Sequence, residues 1–237
     1  MHPLIEVRNL RYSYDDGSAA LNGVDFELFA GETVAILGPN GAGKTTFVLQ
    51  IAGLLTGGGE VRVCGLPVTG ANLAEIRRRV GIVFQDPDEQ LFMPTVLDDV
   101  AFGLLNLGLD RQTARQSAMR SLEQVGMAGA AHKAPYHLSS GEKRRVAIAG
   151  VLAMNPEILI LDEPTTHLDP PGRSALLRLL LDLPQAKLVV THEAGFAAAS
   201  ARRAVFFERG KIVARGTVPQ ILAQFAWGEP GAVQRQP

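Results

Sequence analysis

Short apolar runs rich in valine and isoleucine alternate along the chain with longer segments whose apolar residues recur every three or four positions. The short runs predict β-strands, and the longer segments predict α-helices. Strands are predicted at residues 4–7, 24–28, 33–37, 60–63, 81–84, 158–161, 187–190, 204–208 and 212–214. Helices are predicted at residues 43–53, 72–79, 95–105, 111–125, 140–153, 171–182 and 217–225. This alternation is typical of an α/β protein with a largely parallel sheet.

The middle of the chain, residues 86–154, is predicted to be helical and is flanked by strands on both sides. This pattern indicates a single domain over residues 1–227. Within it, a helical subdomain interrupts a core sheet that is contributed by residues 1–85 and 155–216. Residues 228–237 are predicted to form a flexible tail.

The composition is that of a folded globular protein, with 237 residues of which 46% are apolar and 20% charged. No apolar run approaches the roughly 18 to 20 residues of a membrane-spanning helix. The N-terminal residues lack the basic and apolar segments of a signal peptide. The single cysteine, Cys64, excludes an internal disulfide. We therefore expect a protein of the reducing cytoplasm.

The net charge of −1 argues against the electrostatic grip of a non-specific nucleic-acid-binding protein. The charges are unevenly distributed, because residues 80–110, here called the acidic segment, contain no lysine or arginine. Such a segment is either a solvated face or a docking surface for a basic partner. Two of its carboxylates, Asp98 and Asp99, also suit the first turn of their own helix. The acidic segment contains six carboxylates in all, those of Asp86, Asp88, Glu89, Asp98, Asp99 and Asp110.

A phosphate-binding motif follows the predicted strand 33–37, where residues 38–45 fit G-x-x-x-x-G-K-[ST]. Glycines let the backbone wrap around phosphate oxygens, and the helix that follows adds partial positive charge at its N-terminus. Lys44 is expected to reach the β- and γ-phosphates of ATP, and the Thr45 hydroxyl to bind Mg²⁺. The predicted nucleotide-binding residues here are Gly38, Pro39, Asn40, Gly41, Ala42, Gly43, Lys44, Thr45 and Thr46.

Two carboxylates end the predicted strand 158–161. Asp162 and Glu163 are therefore expected at the carboxyl edge of the sheet, where ligands of open α/β sheets bind. Asp162 is predicted to hold Mg²⁺, and Glu163 to polarise the water that attacks the γ-phosphate. The alternative is that both side chains simply cap the strand end.

The segment Leu138-Ser139-Ser140-Gly141-Glu142 begins a predicted helix, and with it the chain resembles the ATP-binding cassette family over nearly its whole length. The resemblance implies a P-loop NTPase core of the RecA type, with an antiparallel β subdomain and an inserted helical subdomain. It also implies that Ser139, Ser140, Gly141 and Glu142 contact ATP held by a second copy of the chain in a head-to-tail dimer. Ser140 and Glu142 depart from the usual L-S-G-G-Q, and Ser139 with Glu142 also fits a capping box.

Two further positions complete the predicted catalytic set. Gln85, after strand 81–84, resembles the family glutamine that touches Mg²⁺ and the attacking water. His192, after strand 187–190, resembles the histidine that contacts the γ-phosphate. The resemblance therefore implies Lys44, Gln85, Glu163 and His192 as catalytic residues, and Thr45, Gln85 and Asp162 as ligands of Mg²⁺.

Two other positions match less strictly. Tyr14 resembles the aromatic residue that stacks on adenine, with Tyr12 as the competitor. Asp169 resembles the aspartate of the loop at the dimer interface, and the neighbouring His167 stands where the family commonly has a small residue.

Residues 85–92, 94–96, 99–103, 106–109 and 143–150 together resemble the ATPases of energy-coupling-factor importers, and within that group the cobalt-transport ATPases. The resemblance implies an ATP-hydrolysing motor subunit for import of cobalt, nickel or a vitamin, peripheral at the cytoplasmic face of the inner membrane. A multi-span membrane subunit is expected to dock at the acidic segment, and a substrate-capture subunit to act indirectly. The alternative is a soluble ATPase of the same family that assembles protein complexes. The expected docking residues are Asp86, Asp88, Glu89, Leu91 and Phe92.

Overall fold

All of the predicted strands and helices are present in the computed structural model, which describes residues 2–228. The strands of this part of the chain are β1 (Ile5–Ser13), β2 (Ala19–Leu28), β3 (Thr33–Leu37), β4 (Gly58–Val63), β5 (Leu66–Pro67), β6 (Val80–Val83), β7 (Ile158–Asp162), β8 (Ala186–Val190), β9 (Arg203–Glu208) and β10 (Lys211–Thr217). Its helices are α1 (Lys44–Ile51), α2 (Leu73–Arg79), α3 (Val96–Asn106), α4 (Arg111–Gln124), α5 (Ser140–Ala153), α6 (Pro170–Asp182), α7 (Ala194–Ser200) and α8 (Val218–Gln224).

Two elements of the structure, β5 and α7, were not predicted from the sequence. Strand β5 has two residues, too few for a periodic signal. Helix α7 consists of alanines, a glycine, a serine and one large residue, Phe196, so its sequence shows no apolar period. Phe196 and Ala197 are both buried, and Ala197 packs in a core cluster with Ala35, Leu37 and Phe206, which stabilises this helix.

The chain divides into two compact units, the first of which contains the residues up to Ile76 and those from Ala186 onward. In this unit an antiparallel sheet has the strand order β2-β1-β4-β5. Strand β3 lies parallel to both β8 and β9, and β10 is antiparallel to β9. Residues 34–37 of β3 are fully buried, so the strand that precedes the phosphate-binding loop lies at the centre of the core.

The second unit comprises Arg77–Gln185. In it β6 is parallel to β7, and helices α3, α4 and α5 pack against one another. The predicted helical run at 86–154 is present as these three helices with short 3-10 turns between them. The unit is wider than that run, because β6, β7 and α6 belong to it as well. The subdomain limits drawn from the sequence stay a prediction.

The predicted tail falls almost wholly outside the described residues, which end at Gly228. Between residues 2 and 228, no helix is both long enough and apolar enough to cross a bilayer.

Candidate active site

The phosphate-binding loop joins β3 to α1 in the first unit. Its backbone requires glycine at two places, because Gly38 and Gly43 have φ angles of 137° and 96°. A Cβ atom at Gly38 would overlap the carbonyl oxygen of Phe207 on β9, and one at Gly43 would overlap that of Ala20 on β2. A larger residue at either position would push the loop away from the strands that support it.

Lys44 begins α1 and turns its ammonium group back into the loop. Its Nζ atom donates hydrogen bonds to the carbonyl oxygens of Gly38 at 2.7 Å and Pro39 at 2.8 Å. The residue is only 7% exposed. A buried ammonium oriented by carbonyl oxygens is a preorganised partner for phosphate, since charge-assisted hydrogen bonds are the strong ones.

Tyr14 and Tyr12 lie at the end of β1, and the structure distinguishes their environments. The Tyr14 hydroxyl is 2.8 Å from the Thr46 hydroxyl on α1, directly after the phosphate-binding loop. Its ring packs edge-on against Tyr12, with 5.1 Å between the centroids. Tyr14 is 44% exposed, whereas Tyr12 is half-buried.

His192 follows β8, the strand that lies parallel to β3 in the first unit. Ile36 is in register with Val190, so the phosphate-binding loop and His192 leave the same carboxyl edge of the strands. The turn around His192 is fixed by Thr191, whose N–H donates to the Ile36 carbonyl at 3.2 Å. The hydroxyl of Thr191 accepts from the Glu193 N–H at 3.1 Å. The His192 residue itself is exposed.

Asp162 and Glu163 end strand β7 in the second unit, as the apolar run predicts. They are 4% and 8% exposed, respectively. Glu163 adopts a left-handed backbone conformation, with φ 43°. This conformation is uncommon for a non-glycine residue and is concentrated at functional sites.

Gln85 is exposed two residues beyond β6, and two side chains fix the backbone beside it. Gln90 accepts a hydrogen bond from the Phe84 N–H and donates one to the Ile82 carbonyl, each at 3.0 Å. Its amide thus continues the hydrogen bonding of the strand. Arg144 donates to the carbonyl oxygens of Phe84 and Gln85, both at 2.5 Å.

The sequence predicts no role in the site for Arg144 or Gln90. Arg144 is 2% exposed on α5, and burial lowers its pKa, against the opposing effect of the Asp86 and Asp162 carboxylates. A sequence signal for it exists, since Arg144 shares a buried helix face with Ile148 and Val151. A charged residue on an apolar face requires a buried partner, here the backbone beside Gln85.

The segment around Ser139 forms the start of α5, with the capping box that the sequence predicts. The Ser139 N–H donates to the Glu142 carboxylate at 2.9 Å, and the Glu142 N–H donates to the Ser139 hydroxyl at 3.4 Å. The Ser139 N–H and the Ser139 hydroxyl both donate to the carboxylate of Glu142 and lower its pKa. Ser139 and Ser140 remain exposed, and Gly141 is half-buried.

Asp169 caps helix α6, where its carboxylate accepts the Gly172 N–H at 2.8 Å. The preceding His167 is exposed and has φ 63°. Histidine, like asparagine and aspartate, is enriched among non-glycine residues in this left-handed conformation, so His167 is compatible with the backbone here.

Part of the acidic segment is neutralised within the second unit. Asp88 forms an ion pair with Lys143 on α5 at 2.6 Å, and Asp98 forms one with Arg115 on α4 at 3.1 Å. Asp86 accepts the Asp88 N–H at 2.9 Å. These three carboxylates therefore have structural roles in addition to any role in docking.

Asp99 and Asp110 also bond to their own unit. Asp99 is buried, and its Oδ1 atom accepts the N–H groups of Phe92 and Met93, each at 2.9 Å. Burial raises the pKa of Asp99. Asp110 caps α4, and the Thr113 hydroxyl lowers the pKa of its carboxylate.

The first unit thus groups the phosphate-binding loop, Tyr14, Thr46 and His192. The second unit carries Gln85, Asp162, Glu163, the Ser139 segment and Asp169. Within residues 2–228, no three side chains of His, Cys, Asp or Glu are grouped as ligands for a metal ion.

The chain is similar to known proteins in sequence and in fold. The sequence profile of the family described as "ABC transporter" matches residues 21–166. The "Energy-coupling factor transporter ATP-binding protein EcfA" of Methanothermobacter thermautotrophicus is 48% identical over 92% of this chain and 72% of its own length.

Two solved structures have the same fold. CbiO1 from Clostridium perfringens, described as part of the ABC transporter complex cbiONQ, matches with a TM-score of 0.85 and 35% identity over 94% of this chain and 92% of its own. The cassette MJ0796, in a dimeric post-hydrolysis state bound to ADP and Pi, matches with a TM-score of 0.81 and 29% identity over 90% of this chain and 98% of its own.

Proposed function

The chain belongs to the ABC transporter family as its ATP-binding and ATP-hydrolysing subunit, and from this premise we propose that it drives an energy-coupling-factor importer. An exposed aromatic surface on the acidic segment, formed by Phe92 and Phe102, supports this function, because a membrane subunit could dock there. In this function, ATP binding closes two copies of the chain, and hydrolysis reopens them.

The proposed chemistry is transfer of the γ-phosphoryl group to water, with catalysis by positioning and charge stabilisation. Lys44 and the loop backbone hold the β- and γ-phosphates. Glu163 orients and polarises the attacking water, and Gln85 contacts the same water. His192 contacts the γ-phosphate and stabilises the charge that develops there.

Mg²⁺ fits the donors that are assigned to it. Thr45, Gln85 and Asp162 offer hydroxyl, amide and carboxylate oxygens, the hard donors that Mg²⁺ prefers. Asp162 is 4% exposed at the end of β7, and a carboxylate removed from water is stabilised by nearby positive charge. When bound, Mg²⁺ would neutralise charge on the phosphates.

We assign adenine stacking to Tyr14 rather than Tyr12. Its ring is the more exposed of the two, and its hydroxyl is held by Thr46 next to the phosphate-binding loop. An exposed, oriented aromatic ring is a suitable surface for a base.

The partner-facing segment is proposed to act through Ser139, Ser140 and Gly141, with Asp169 at the same dimer interface. The exposed serine hydroxyls and the N-terminus of α5 favour an anion such as the γ-phosphate held by the second copy. Glu142 acts through Ser139, because its carboxylate is bonded to that residue. The dimer of MJ0796 supports an assembly of two cassettes.

The proposed docking surface for the membrane subunit consists of Glu89, Leu91, Phe92, Phe102 and Leu105. The Phe92 ring is 61% exposed and packs edge-on against Phe102, with 5.0 Å between their centroids. Leu105 is exposed one turn beyond Phe102 on α3. Aromatic anchors beside a carboxylate suit a basic amphipathic helix, the kind of segment expected at the cytoplasmic side of a membrane protein. Asp86 and Asp88 border this surface.

Phe92→Ala should reduce co-purification with the membrane subunits about tenfold or more, since interface anchors carry most of the binding energy. Glu89→Lys should reduce it as well, because the variant sets a positive charge against a basic partner. ATP hydrolysis by the isolated chain should stay unchanged. The measurement is a pull-down from detergent-solubilised membranes, with identification of the partners. Asp88 is avoided because reversing its charge would also break the ion pair with Lys143.

Leu181→Ala is the matched control, because Leu181 is a similarly exposed apolar residue on α6 of the same unit. Undiminished capture of multi-span proteins by Phe92→Ala and by Glu89→Lys would contradict the proposed docking surface. Capture of soluble complexes alone would favour the alternative, an ATPase that assembles proteins.

The cargo is proposed to be cobalt or nickel. This rests on the resemblance to cobalt-transport ATPases and on the similarity to a component of cbiONQ. Membrane vesicles that carry the chain and its partners should accumulate radiolabelled cobalt when ATP is supplied, and excess nickel should compete. Competition by a vitamin, with no uptake of metal, would assign the chain to another importer of the same type.

A further inference from the structure

The chain contains a single tryptophan, Trp227, which contacts the residue proposed to bind the γ-phosphate. The indole Nε1–H of Trp227 donates a hydrogen bond to the backbone carbonyl of His192 at 3.1 Å. Both residues belong to the first unit, yet they are separated by 35 positions in the sequence. The contact therefore depends on how the end of the chain returns to β8.

Trp227 is held in place by ring packing and by the backbone. Its ring packs edge-on against Phe206 of β9, with 5.2 Å between the centroids and 84° between the planes. Phe225 stacks on the same Phe206 ring at 3.7 Å. The backbone N–H of Trp227 also donates a hydrogen bond to the Leu222 carbonyl of α8 at 2.9 Å. Because Phe206 is buried in the core strand, the indole is tied to a fixed element.

The segment around His192 is held on its other sides as well. The Thr191 hydroxyl accepts the Glu193 N–H, and α7 begins directly afterwards at Ala194. A Cβ atom at Gly228 would come within 2.6 Å of Ala194 Cβ, so the chain after Trp227 passes closely over the start of α7. The indole bond is thus part of a support for the turn that presents His192.

We propose that Trp227 is a positioning residue for His192. It holds the backbone carbonyl of His192 and thereby fixes the position of the turn from which His192 would meet the γ-phosphate. The inference rests on the proposed function, since it assumes that His192 acts on the nucleotide. Trp227 acts on the nucleotide only through His192.

The test is single-turnover ATP hydrolysis by the full chain, with ATP affinity measured separately. Trp227→Phe retains an aromatic ring against Phe206 and removes the N–H donor. The hydrolysis rate should fall about two- to tenfold, the loss expected for one neutral hydrogen bond. ATP affinity should be unchanged, because the phosphate-binding loop and Tyr14 are untouched.

An analogue refines the test, because Trp227 is the sole tryptophan. Replacing it throughout by a tryptophan analogue with sulfur in place of the indole N–H keeps the ring shape. The same loss of rate is expected with the analogue. A normal rate in both proteins would overturn the inference.

Phe225→Leu is the matched control, since it disturbs the ring stack and keeps the indole donor. It should lower the melting temperature of the protein. Its hydrolysis rate should stay close to that of the unaltered chain. A rate loss in Phe225→Leu as large as that in Trp227→Phe would assign the effect to packing and overturn the inference.

His192→Ala distinguishes the role proposed for His192 from the role proposed for Trp227. Normal hydrolysis by His192→Ala would refute the role proposed for His192 itself. Loss of hydrolysis in His192→Ala together with a normal rate in Trp227→Phe would refute only the positioning role of Trp227.

Discussion

Glu163→Gln is expected to abolish ATP turnover while ATP remains bound. Glutamine has nearly the same size as glutamate, so the 8% exposed site at the end of β7 keeps its packing. It cannot accept the proton of the attacking water, and a positioned general base contributes about 10² to 10⁴ in rate. Hydrolysis should fall by that factor, as measured by phosphate release.

The same variant should accumulate as an ATP-bridged dimer, because the step that reopens the two copies is blocked. Size-exclusion chromatography with ATP would detect the dimer. Glu157→Gln is the matched control, since this carboxylate lies just before the same strand and pairs with Arg79 at the surface. Near-normal hydrolysis by Glu163→Gln would refute the catalytic assignment.

Lys44→Ala is expected to lose ATP binding. The ammonium group of Lys44 is buried and already oriented by the carbonyl oxygens of Gly38 and Pro39. Each charge-assisted hydrogen bond to a phosphate contributes about 1.5 to 3 kcal/mol, so removing the donor should weaken binding at least about tenfold to a hundredfold. Titration with a fluorescent ATP analogue measures the change.

Lys211→Ala provides the control for a change of net charge, since Lys211 is an exposed lysine on β10 of the same unit. Its ATP affinity should equal that of the unaltered chain. Circular dichroism establishes that Lys44→Ala is folded. A folded Lys44→Ala protein with undiminished ATP affinity would contradict the role given to the loop.

Local patterns were sufficient for most elements and for the strand-end residues. The strand before the phosphate-binding loop and the strand before Asp162 are short apolar runs, and both are buried strands in the structure. The residue that follows a buried strand is placed by that strand. This is why the sequence was enough to place Asp162 and His192 at the carboxyl ends of strands, and Lys44 in the loop that follows β3.

Residues that act by long-range contact were missed. Arg144 bonds to the backbone at Gln85, 59 positions away, and Trp227 bonds to His192. The apolar helix face around Arg144 signals that this residue needs a buried partner, but the identity of the partner has no local signature in either case, because each contact joins elements that meet only after folding. Gln90 was missed for a related reason, since its amide substitutes for a strand partner.

The acidic segment shows the limit of charge patterning. From the sequence alone, these carboxylates could form a solvated face, form a docking surface or stabilise the first turn of a helix. The structure shows that Asp88 and Asp98 pair with cations of their own unit and that Asp99 is buried against the backbone. The exposed aromatic ring of Phe92 is therefore a better guide to docking than the count of charges.

The sequence by itself determined the order of strands and helices, the phosphate-binding loop and the acidic strand end, because each depends on interactions between residues close in the chain. Only the tertiary structure decided which carboxylates are occupied internally, how Arg144 fixes the Gln85 backbone and how Trp227 supports His192. These depend on distance in space and on exclusion of water, which linear spacing does not encode.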